Sequence, residues 1–70
     1  ISNVENSINT FLVNFVDDHK SYPLNIFNLL GESVYSVNLN SKSTILNLNF
    51  IHSGIYIVSS SAGSKKIIIK

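Results

Sequence analysis

Apolar residues in this chain recur at every second position, in short runs separated by Asn- and Ser-rich turns. A period of two places alternate side chains on opposite faces of a strand, and no helix can follow it. Composition agrees. Ile, Val and Thr number eighteen against a single Ala, with no Arg, Met, Trp or Cys, so the chain is rich in residues that suit a pleated sheet and poor in those that suit helices. Seventy residues make one domain, and a core of that size supplies a margin of only about 3–5 kcal/mol.

Residues 10–16 alternate with Phe11, Val13 and Phe15 on one face and end at Asp17-Asp18-His19-Lys20-Ser21, a solvated turn. Residues 33–39 set Tyr35, Val37 and Leu39 against Ser36 and Asn38, and residues 44–48 set Leu46 and Leu48 against Asn47. A strand over 55–59 is apolar on both faces, as the middle of a sheet requires. The last strand, 65–69, follows a loose turn over 60–64. Residues 21–31 fit two patterns: a helix capped by Ser21 with Gly31 past its end, or a strand in which Leu24 and Ile26 alternate with Asn25 and Phe27. Asn25 and Asn28 are poor helix formers and Pro23 suits the first residue of a strand, which favours the strand.

Six short strands at this spacing predict a small antiparallel β-sandwich of six or seven strands, Greek-key-like, as a single domain over residues 1–70. Residues 1–8 are either an entry segment or a weak first strand. The expected core is Phe11, Val13, Phe15, Leu24, Ile26, Leu46, Leu48, Tyr56 and Val58. A chain opening on Ile1 rather than Met reads as a fragment or a processed piece.

Chemistry is sparse. Five Lys against four acids, a net charge of +1, form no footprint for nucleic acid. The apolar run 55–58 is far short of the ~20 residues of a membrane-spanning helix. Asp17, Asp18 and His19 cluster in sequence, but neighbours on an extended segment point apart, so a plain turn is expected and no metal or other cofactor. His52 beside Ser53-Gly54 reads as a surface residue. No nucleophile, base and orienting group can be assembled, so no enzyme is expected. A non-catalytic adhesion or carbohydrate-binding module is the alternative, and it would need Tyr22, Tyr35 and Phe27 exposed together on one face.

Three blocks carry a resemblance: Leu30-Gly31-Glu32 at a strand end; Leu46-Asn47-Leu48-Asn49 leading to Ser53-Gly54-Ile55-Tyr56; and the closing Lys65-Lys66-Ile67-Ile68-Ile69-Lys70. In this order the chain from 22 to 70 resembles the type A C-terminal sorting domain of the type IX secretion system of Bacteroidetes. Residues 1–6 lack the Tyr-Pro-Asn-Pro-like segment usual before that family's first strand. The resemblance implies a secretion signal at the C-terminus of a cargo domain, with the cargo secreted or on the cell surface by way of the periplasm and outer membrane. It implies as partners an outer-membrane translocon, a shuttle protein and a sortase that removes the domain. Lys65, Lys66, Ile67, Ile68, Ile69 and Lys70, with Gly54 and Tyr56, are then the expected partner-binding residues. The apolar centre and flanking lysines of the last strand also match the way natural edge strands stay soluble, which leaves two roles open: closing the sandwich, or offering an edge to a partner.

Overall fold

The computed structural model describes residues 2–4, 8–16, 18 and 20–70. Among them are a two-residue strand β1 (Ser2–Asn3) and six longer ones: β2 (Thr10–Asn14), β3 (Tyr22–Phe27), β4 (Ser33–Leu39), β5 (Ser43–Asn47), β6 (Gly54–Ser60) and β7 (Gly63–Ile69). Every pairing is antiparallel. One sheet runs β1-β2-β5 and the other β4-β3-β6-β7. The non-sequential pairs β2–β5 and β3–β6 give the interleaving of a Greek-key-like sandwich. The thinnest extent of the fold, 17 Å, fits two sheets packed about 10 Å apart.

Period-two patterning sets the register. Phe11, Val13 and Phe15 turn inward from β2 and the loop that follows, to meet Tyr22, Leu24 and Ile26 of β3. Phe15 stacks on Tyr22, with ring centroids 4.4 Å apart, pinning the crossing from one sheet to the other. Leu39, Leu48, Tyr56, Val58, Ile67 and Ile69 complete the buried core. Leu46 differs from the expectation: it is half-buried and packs against the core from outside, because β5 is an edge of the smaller sheet.

Residues 22–27 form a strand, with Leu24 and Ile26 buried in the core. Its turn into β4 is built by Asn28, whose side-chain oxygen accepts the N–H groups of Leu30 and Glu32 at 3.0 Å each. Gly31 sits in that turn at φ +85°, a backbone conformation open to glycine and strained for most other residues. The turn between β6 and β7 is tighter than the sequence predicts. Pairing continues to Ser60 and Gly63, and the Ser60 hydroxyl accepts the Ala62 N–H at 3.2 Å.

Candidate functional site

The eight residues singled out in the sequence come together in one hairpin. Gly54 lies opposite Ile69, Tyr56 opposite Ile67, and Ile55 opposite Ile68. Ile67, Ile69 and Tyr56 face the core, while Ile68 and Lys66 take the outer face. Tyr56 buries its ring, and its hydroxyl donates to the His52 carbonyl at 2.7 Å, which ties the entry of β6 to the strand. Gly54 opens β6 at φ +157°. Lys65 lies opposite Val58, on the core side of the sheet at its edge, and lines a cleft of about 250 Å³ with Val13, Phe15, Leu24 and Val58. This cleft lies below the usual ~300–1,000 Å³ of small-molecule sites.

Strand β7 is an edge of its sheet. Alternate residues of an antiparallel strand turn their N–H and C=O groups to opposite sides, so one hydrogen bond fixes the direction of the rest. The Asn28 N–H donates to the Glu32 carbonyl at 3.0 Å. Even-numbered residues of β3 therefore bond toward β4, and Asn25 and Phe27 bond toward Ser59 and Ile57 of β6. The even-numbered residues of β6 then face β7, where they meet Ile69, Ile67 and Lys65. Left for the outer side of β7 are the backbone groups of Ser64, Lys66 and Ile68. The edge is apolar toward the core and positively charged at Lys65 and Lys66.

The end of this edge is held by a residue that the sequence patterns do not single out. Asn9 is buried, and its side-chain nitrogen donates to the Lys70 carbonyl at 2.9 Å while its side-chain oxygen accepts the Lys70 N–H at 2.7 Å. A separation of 61 in sequence leaves no local signal for such a contact. The one legible hint is an Asn just before a strand, a residue type that tolerates positive φ. Only the backbone of Lys70 takes part, and its side chain is exposed. Lys70→Ala is therefore expected to change stability by no more than about 0.5 kcal/mol in a thermal melt.

The other candidates disperse. Asp18 is exposed and pairs with Lys42 at 2.7 Å, whereas Asp17 and His19 lie outside the described residues. Tyr22 is buried, Tyr35 is half-buried and touches Phe50 edge-on, and Phe27 is half-buried. These three rings do not share an exposed face, so the condition for a carbohydrate-binding platform is not met. No helix among the described residues is long and apolar enough to cross a membrane.

Compared with known families, residues 5–70 match the model of the secretion system C-terminal sorting domain. No curated protein and no solved structure matches the chain significantly.

Proposed function

The chain belongs to the family of secretion system C-terminal sorting domains, and from that premise we propose that the outer edge of β7 is the element by which its machinery recognises it. The domain is a secretion signal of a non-catalytic family. It implies a secreted or surface cargo and contact with secretion machinery. In the finer reading, an outer-membrane translocon and a shuttle protein bind the hairpin of Gly54, Tyr56 and residues 65–70 after passage through the periplasm, and a sortase then removes the domain from its cargo.

The observation that carries this reading is the division of labour within β7. Ile67 and Ile69 are committed to the core, while the backbone of Lys66 and Ile68 is turned outward on an edge strand. An extended segment added there gains main-chain hydrogen bonds for affinity, and the alternating side chains Lys66 and Ile68 supply specificity. The lysines that keep such an edge from pairing indiscriminately also favour an acidic partner.

Ile68→Pro tests the reading. The N–H it removes points outward, and proline is tolerated on an edge strand in that position, so the melting temperature should fall by only a few degrees. Docking loses a donor and meets a ring, and export of a fused reporter is expected to fall about tenfold or more, a loss of one to two hydrogen bonds. Normal export by the folded variant would overturn the proposal.

A further inference from the structure

We propose that Asn9 fixes where a strand added to β7 must end, by placing its own side chain on the last outward-facing backbone position of that edge. This rests on the reading of the β7 edge as the recognised element. The paired bonds between the Asn9 carboxamide and the Lys70 backbone, 2.9 Å and 2.7 Å, reproduce the reciprocal N–H···O pair that opposed residues exchange in an antiparallel ladder. One side chain thus stands in for the first residue of the next strand.

Asn9 is itself held firmly. Its remaining amide hydrogen goes to the Asn49 side-chain oxygen at 3.0 Å, and its carbonyl accepts the Leu48 N–H at 2.8 Å. Its backbone lies at φ +57°, in the left-handed region that Asn enters more readily than most residues. Glycine would satisfy the backbone but not the ladder. Aspartate would accept the Lys70 N–H yet set acceptor against acceptor at the Lys70 carbonyl and at Asn49.

Chain segments at the end of a domain fray unless tied down. With Lys70 clamped by Asn9, and the other end of β7 fixed by the turn into it, residues 64–68 form a stiff template that needs little ordering on binding. The incoming segment then pairs with Ser64, Lys66 and Ile68 and stops short of Lys70. Its chemistry follows from the outer face: an acidic side chain beside Lys66 and an apolar one beside Ile68.

The test uses the cargo protein carrying the domain, with Asn9→Gly, Asn9→Asp and Asn49→Ala. Amide exchange at Lys70 is expected to rise roughly tenfold or more in both Asn9 variants, and less in Asn49→Ala, with Ile67 and Ile69 still protected. Export should fall severalfold, below that of a core variant such as Ile26→Val chosen for an equal loss of melting temperature. Asn49 is exposed, so its variant keeps the test open if both Asn9 variants fail to fold. Unchanged exchange at Lys70, or export at the level of the matched core variant once Lys70 is released, would overturn the role of Asn9. Ile68→Pro separates the two failures: if it exports normally, the edge reading itself falls; if it is blocked while Asn9→Gly exports normally, only the Asn9 proposal falls.

Discussion

Deletion of residues 66–70 is expected to abolish export of a cargo fused to the domain, reducing it to the level of a cargo with no domain at all. Two losses act together. The outward backbone of Lys66 and Ile68 disappears, and so do Ile67 and Ile69, which are 5% and 1% exposed. Emptying a buried Ile position costs about 2–5 kcal/mol, and here two go at once, with the pairing of Gly54, Ile55, Tyr56 and Ile57 to their β7 partners. The truncated chain should therefore also lose its cooperative melt. Export by a truncated chain would place recognition elsewhere on the surface, and comparison with Ile68→Pro separates the edge from the core: proline removes the outward donor and leaves both buried isoleucines in place.

Strand β7 shows what the sequence can and cannot express. Alternation made the inward set of β7 visible, since Ile67 and Ile69 sit two apart, and the lysines before them marked an edge. Period alone could not decide between closing the sandwich and offering an edge. The fold shows the first, with Ile67 and Ile69 buried, and by placing β7 at the end of its sheet among the described residues it leaves room for the second, which the proposal uses. Residues 21–31 were ambiguous for a related reason: Leu24, Phe27 and Leu30 match a helical stripe, while Leu24 and Ile26 match a strand. Burial distinguishes them, since Leu24 and Ile26 are in the core and Leu30 is 85% exposed. Neighbourhood was less legible than local structure. The pairs β2–β5 and β3–β6 join segments far apart in the chain, and the contact between Asn9 and Lys70 exists only once both sheets are assembled. The turn over residues 60–64 looked loose because Ser and Gly are common in loops, yet their small side chains also let the hairpin close tightly.

The same economy makes the centre of the sandwich unforgiving. Ile26 is fully buried, paired with Tyr35 of β4 on one side and Val58 of β6 on the other. Its truncation to Ala removes side-chain contacts from the middle of the larger sheet, at a cost of about 2–5 kcal/mol. The margin of a core this size is about 3–5 kcal/mol, and the chain contains no cysteine that could add a disulfide. Ile26→Ala is therefore expected to lack a cooperative thermal or urea transition at 37 °C, followed by far-ultraviolet circular dichroism, and to lose export with it. Ile26→Val, which costs about 0.5–1.5 kcal/mol, should keep the transition at a lower midpoint. Ile45, 63% exposed on β5, is the counterpart: Ile45→Ala should shift stability by less than about 0.5 kcal/mol. A cooperative melt for Ile26→Ala within a few degrees of the parent would mean that neighbouring side chains collapse into the gap. The packing between the sheets would then be plastic enough to recover most of the lost contacts.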